Sequence, residues 1–209
     1  MELILVRHTT PNVPKGTCYG FSDVDVAPTF IAEASETLKN LKQYLPVDKA
    51  FTSPLQRAVK LAEFCGFKDA EKDDRLKEMN MGEWEMQKYE EIKDPAIQDW
   101  YRDYMHLPAT GGESFPDLYN RVKSFLDELK GKPYTRVAVF AHAGPIVCAA
   151  MYAGLCTEDN PFSVAPTFGG ILKITIWKRG RQKSAVLVKH TYLLTFNHVI
   201  LCLFSVFSF

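Results

Sequence analysis

Two histidines and two arginines stand at the ends of apolar runs in this chain. Glu2-Leu3-Ile4-Leu5-Val6 is followed by Arg7-His8, Lys49 to Thr52 runs into Ser53-Pro54-Leu55-Gln56-Arg57, and Arg136 to Ala141 ends at His142-Ala143-Gly144-Pro145. If these runs are neighbouring strands, His8, His142, Arg7 and Arg57 converge outside their carboxyl ends, where parallel sheets bind ligands. Such a set suits a phosphoryl group. A neutral imidazole can attack phosphorus, while guanidinium groups and a second imidazole hold the oxygens whose negative charge grows in the transition state. Taken singly the pieces say little, since a histidine after a strand is more often a hydrogen-bonded structural residue and a Ser-Pro pair is usually a helix cap. Their joint placement carries the reading.

The middle segment has a mechanism of its own. Ser53 reads as an N-cap and Pro54 as a first helical residue, so a helix is predicted to open there, with free amides toward the crevice and Arg57 in its first turn. Pro145 after Ala143-Gly144 predicts a second helix just past His142. A leaving alkoxide needs a proton, and the candidates crowd Lys77-Glu78-Met79-Asn80-Met81-Gly82-Glu83-Trp84-Glu85. Charge alone does not choose between Glu78, Glu83 and Glu85, and any of them could be a solvated surface carboxylate. No HExxH, paired cysteines, DxD-type cluster or GxxxxGK[ST] occurs, so the reading has no metal and no cofactor. His106, His190 and His198 lack comparable placement.

The elements that must position these groups are legible in outline. Glu2 to Val6, Lys49 to Thr52, Arg136 to Ala141 and Ile171 to Trp177 are continuous apolar runs that read as buried strands. Leu55 to Cys65 and Leu118 to Leu129 repeat apolar residues at helical spacing. This alternation predicts an α/β fold with a mainly parallel sheet. Residues from about Arg75 to Pro116 break the rhythm and read as a helical insertion above the sheet. The 209 residues, 46% of them hydrophobic, suffice for one domain with a core, and 25 basic against 25 acidic residues leave no net field for nucleic acid. Five cysteines without a CxxC pair, and a start unlike a signal peptide, fit a cytoplasmic protein. From Leu193 to Phe209 there is no charged residue; as a helix this stretch would reach about 25 Å, short of a bilayer core of about 30 Å. A strand or hairpin packed on the body is the favoured reading, with a membrane-peripheral or homo-oligomer-forming tail left open.

Leu5-Val6-Arg7-His8-Thr9, Thr52-Ser53-Pro54-Leu55-Gln56-Arg57-Ala58, Glu78 to Glu85, Gly111-Gly112-Glu113-Ser114 and Phe140-Ala141-His142-Ala143-Gly144 resemble, in order, the motifs of the histidine phosphatase superfamily, also called phosphoglycerate-mutase-like. The resemblance spans about residues 1 to 180. It implies a three-layer α/β/α sandwich with a helical excursion over the active site, and a metal-independent phosphomonoesterase. His8 would become phosphohistidine, Arg7, Arg57 and His142 would share its phosphate pocket, and Glu78 would be the acid. Residues 1–188 would form the catalytic domain and 189–209 an apolar tail of unknown role. Arg7-His8-Thr9-Thr10-Pro11 and Gly16-Thr17-Cys18-Tyr19-Gly20-Phe21-Ser22-Asp23 look most like the alpha-ribazole phosphatase group, which removes a 5'-phosphate late in cobalamin nucleotide-loop assembly. Thr9 and Pro14 depart from that group's common Gly and Asn. Thr9, Cys18, Tyr19, Ser114 and Ala143 are the candidate substrate contacts, although Tyr19 could be core and Ser114 a helix cap. The rival readings are a phosphoglycerate mutase or broad-specificity sugar-phosphate phosphatase and, from another class, an inactive module that binds phosphorylated ligands.

Overall fold

The computed structural model describes residues 1–177, so the apolar stretch from Leu193 to Phe209 lies outside the described residues. Five strands form one sheet: β1 (Glu2–Arg7), β2 (Lys49–Thr52), β3 (Glu71–Lys72), β4 (Arg136–Ala141) and β5 (Ile171–Thr175), in the order β3-β2-β4-β1-β5. All neighbours run parallel except β5, which pairs antiparallel with β1. The last apolar run is therefore an edge strand of opposite direction. It stops at Thr175, after which the Ile176 amide donates to the Met1 carbonyl.

The strand sequences are continuous in apolar residues because both faces are covered. On one face Leu3 and Leu5 of β1 and Val137 and Val139 of β4 pack with α4 (Phe115–Lys130) and α5 (Ala143–Tyr152). On the other, Ile4, Val6, Ala138 and Phe140 pack with Ala34 and Leu41 of α1 (Phe30–Leu41) and Leu61 and Ala62 of α2 (Gln56–Phe64). The result is three layers, helices over sheet over helices.

The stretch between β3 and α4 is less helical than its sequence suggested. It holds one short helix, α3 (Ala96–Arg102), and three single 3-10 turns at Asp74–Leu76, Gly82–Trp84 and Tyr89–Glu91. What orders it is a third small core in which Trp84 and Trp100 meet edge to face, 5.6 Å between ring centres, with Met81, Tyr89 and Ile97 around them. The Trp84 indole N–H donates to Asp94 at 2.7 Å, so the buried ring leaves no polar atom unsatisfied.

Helix α4 shows how local sequence fixes one wall of the site. Phe115, Leu118, Val122, Phe125, Leu126 and Leu129 form its buried stripe at helical spacing. Ser114 and Asp117 make a reciprocal capping box at its start. Replacing Ser114 with Ala should therefore lower the unfolding free energy by about 1 kcal/mol in a urea titration, while leaving kcat unchanged. A large loss of activity with unchanged stability would contradict a purely capping role.

Candidate active site

The register of the parallel strands builds the site. Arg7 of β1 lies opposite Ala141 of β4, and Thr52 of β2 opposite Phe140, so the three strands end nearly level. The next residues, His8, Ser53 and His142, leave the sheet side by side, with the His8 amide donating to Ala141 O at 3.0 Å and the Ser53 amide to Phe140 O at 2.8 Å. All three are buried.

His8 and His142 have ring centres 5.0 Å apart. Nδ1 of His8 lies 2.6 Å from the Thr9 carbonyl, which can only accept, so the proton sits on Nδ1 and the lone pair on Nε2. Burial, then the charges of Arg57 and Arg7, hold the His8 pKa well below 6.5 and keep the ring neutral. Burial and the same guanidinium groups do likewise for His142, with further contributions from His8 and Arg121. Nε2 of His142 lies 2.8 Å from Ser53 Oγ, which already accepts from the Leu55 amide. The serine hydrogen is then available to His142 Nε2, leaving Nδ1 as the donor.

Ser53 is thus not the N-cap its sequence suggested. Helix α2 starts at Gln56 behind an extended Leu55, and the Gln56 amide donates to Asp23 at 2.6 Å. The serine oxygen accepts from the Leu55 amide, and its hydrogen goes to the histidine. Arg57 remains in the first turn of α2 and is fully buried, donating to the carbonyls of Ser22 at 2.8 Å and Gly20 at 2.7 Å. Arg7 donates to the Pro166 carbonyl at 2.9 Å and stacks on Phe168, 4.1 Å from the ring centre. Thr9 Oγ1, Arg57 Nε and His142 Nδ1 are buried with no hydrogen-bond partner among the described residues, the pattern of polar groups that serve a ligand.

Of the three carboxylates the sequence left open, Glu78 alone lines the cleft onto which Arg7 and His8 also face. Its Oε1 accepts from the amides of Met79 at 3.0 Å and Gly144 at 3.1 Å, the latter in the first turn of α5. Gly144 is required for this approach, because a Cβ there would stand 2.3 Å from Glu78 Oε1. Arg121 fixes the backbone behind Glu78 by donating to the carbonyls of Arg75, Lys77 and Glu78 while paired with Glu113. Glu83 is exposed, and Glu85 turns toward residues 20–22.

The candidate substrate contacts divide. Tyr19 and Ala143 line the cleft, and the Tyr19 ring lies 5.4 Å from the Arg57 guanidinium. Cys18 does not line it. Adjacent residues of an extended segment point opposite ways, and Cys18 turns into the Trp84 core, where burial pushes its thiol up to about 12. Ser114 is spent on its helix cap. Thr9, Arg57 and His142 lie behind the lining, grouped around His8. Sequence reading missed Phe168 beside both Arg7 and His8, and missed the wall formed by Tyr89, Trp100, Tyr104, Phe115 and Phe162. Nothing local marks which aromatic residues of separate loops will converge. Among the described residues no group of three or more His, Cys, Asp and Glu is placed to hold a metal ion, and no helix is long and apolar enough to cross a membrane.

Residues 3–188 match the Histidine phosphatase superfamily (branch 1). The chain belongs to this superfamily. Phosphoserine phosphatase 1 of Hydrogenobacter thermophilus is 32% identical over 167 residues, 76% of this chain and 78% of that protein. The crystal structure of phosphoglycerate mutase from Thermus thermophilus superposes with a TM-score of 0.64 at 28% identity, covering 83% of this chain and 92% of that one. The alpha-ribazole phosphatase from Shigella flexneri reaches a TM-score of 0.75 over 85% of this chain and 92% of that one, at 24% identity, a likeness of fold. As a histidine phosphatase superfamily member with this site, the protein is a phosphoric monoester hydrolase.

The two buried imidazoles give a direct test. In histidine-labelled protein, with signals assigned through His8→Asn and His142→Asn, neither ring should titrate near 6.5, whereas His106, bonded to Asp103, should titrate above it. Because the folded chain then binds fewer protons than the unfolded chain below pH 6.5, stability should fall as the pH drops through that value. A His8 midpoint at or above 6.5 would contradict the neutral nucleophile.

Proposed function

We propose that this protein is a phosphomonoesterase working through phosphohistidine, and that the alcohol it releases carries an apolar, planar ring, with alpha-ribazole 5'-phosphate as the specific compound. In the first step Nε2 of His8 forms a bond to phosphorus as the ester P–O bond breaks, and Glu78 gives its proton to the departing oxygen. Arg7, Arg57 and His142 neutralise the charge that builds on the phosphoryl oxygens. In the second step water attacks phosphorus, Glu78 takes its proton, and the P–N bond breaks to leave phosphate and free His8.

The composition of the cleft supports the substrate class. Its wall away from His8 is built from Tyr89, Trp100, Tyr104, Phe115, Leu118 and Phe162, and the only charged side chains lining it among the described residues are Arg7 and Glu78. A benzimidazole fits such a wall. The ammonium and carboxylate of phosphoserine, or the second phosphate of a bisphosphoglycerate, would find no opposite charge there beyond the two groups already engaged in chemistry. Burying roughly 100 Å² of apolar ring at about 25 cal/mol per Å² supplies about 2.5 kcal/mol, or about 70-fold in kcat/KM. The name of the Hydrogenobacter relative favours phosphoserine, so that compound is the necessary competitor.

A metal-free assay over a panel containing alpha-ribazole 5'-phosphate, phosphoserine, 3-phosphoglycerate and 4-nitrophenyl phosphate tests both parts. His8→Ala should lose at least about 1,000-fold in kcat on every member, and Glu78→Gln should accumulate an acid-labile phosphoenzyme. Alpha-ribazole 5'-phosphate should exceed phosphoserine by tens of fold. Phosphoserine turned over equally well would overturn the substrate class, and full activity of His8→Ala would overturn the mechanism.

A further inference from the structure

Glu85 lies outside the cleft, yet its carboxylate gathers more donors than any group the mechanism uses. Oε1 accepts from the Phe21 amide at 2.7 Å and the Met81 amide at 3.1 Å, while Oε2 accepts from the Ser22 amide at 2.5 Å and from the Ser22 hydroxyl. The Phe21 amide shares one trans peptide plane with the Gly20 carbonyl, so drawing that amide to Glu85 turns the Gly20 carbonyl the other way, while the amide and hydroxyl of Ser22 anchor the residue whose own carbonyl follows. Those two carbonyls are the ones that hold Arg57, through Nη2 and Nη1 respectively. Gly20 is pressed so closely on the chain beyond Glu78 that a Cβ would stand 1.7 Å from the Met79 carbonyl oxygen.

We infer that Glu85 is a positioning residue for phosphate binding: its carboxylate shapes the turn 20–22 whose two carbonyls aim the Arg57 guanidinium, and ties that turn to the segment carrying Glu78. A guanidinium binds phosphoryl oxygens through a rigid fork, so its use depends on orientation more than on charge. The acceptors that set this orientation are backbone atoms, and backbone atoms are held only as firmly as the turn that bears them. Glu85 does this without touching substrate. The inference rests on the reading of Arg57 as a phosphate ligand.

The test is a double-mutant cycle of Glu85→Gln and Arg57→Ala, read as kcat/KM for 4-nitrophenyl phosphate and as inhibition by inorganic phosphate. Glu85→Gln alone should lower kcat/KM by about 10- to 100-fold and weaken phosphate inhibition, the scale of disrupting hydrogen bonds to a charged group. Added to Arg57→Ala, it should cost less than about twofold more, because the group it positions is gone. Glu85→Asp, which keeps the charge and shortens the reach, runs through the same cycle, so an early-melting Gln variant does not decide the outcome. Losses of full size in both backgrounds, or phosphate inhibition unchanged by either Glu85 variant, would overturn the positioning role. An Arg57→Ala protein with unimpaired activity would instead overturn the phosphate-ligand reading beneath it.

Discussion

A buried guanidinium held by carbonyls is the constraint on which this site depends. Arg57 has no solvent exposure, and among the described residues no carboxylate stands within ion-pair distance of it. Backbone oxygens satisfy part of its fork without cancelling its charge, and a buried charge left in that condition is costly. Two consequences follow. Burial, reinforced by the charges of Arg57 and Arg7, holds His8 and His142 neutral, which leaves the Nε2 lone pair of His8 free for the nucleophilic role proposed above. The field of the two guanidinium groups favours a dianion beside the rings, since an incoming phosphoryl group can make the direct ion pair that no carboxylate among the described residues makes with Arg57.

The sheet makes that arrangement possible. Three parallel strands ending at one level deliver His8, Ser53 and His142 together, although 134 residues separate the two histidines. Ser53 then orients His142, the Thr9 carbonyl orients His8, and the start of α5 brings the Gly144 amide to Glu78. The proposed phosphate chemistry occupies the strand ends, while the insertion, anchored on Trp84 and Trp100, supplies Tyr89, Trp100 and Tyr104 to an apolar wall completed by Phe115 and Leu118 of α4 and by Phe162. The division of labour separates what is done to the phosphoryl group from what is recognised beyond it.

Much of this was legible before any coordinates. Strands β2 and β4 fall on the residues their apolar runs marked, because burial on both faces demands unbroken apolar sequence. Other elements left weaker traces. Helix α1 buries Ala34, Thr37 and Leu41, a stripe too small and too polar to stand out, and β3 is two exposed residues, Glu71 and Lys72. An apolar run does not encode strand direction, so β5 read as one more strand without showing that it pairs antiparallel with β1. The local rule for Ser-Pro failed at Ser53 because Leu55 stays extended and α2 opens only at Gln56, whose amide is taken by Asp23, a residue distant in sequence. Cys18 and Tyr19 could not be told apart until the chain direction placed one in the core and the other on the cleft.

The most direct test of the site is a crystal structure with orthovanadate, which takes the five-coordinate geometry of phosphoryl transfer. The expected result is vanadium bonded to Nε2 of His8, with Arg7, Arg57 and His142 donating to its equatorial oxygens and Glu78 beside the apical oxygen opposite the ring. Vanadate bound away from His8, or bound there with no nitrogen of Arg57 donating to its oxygens, would contradict it.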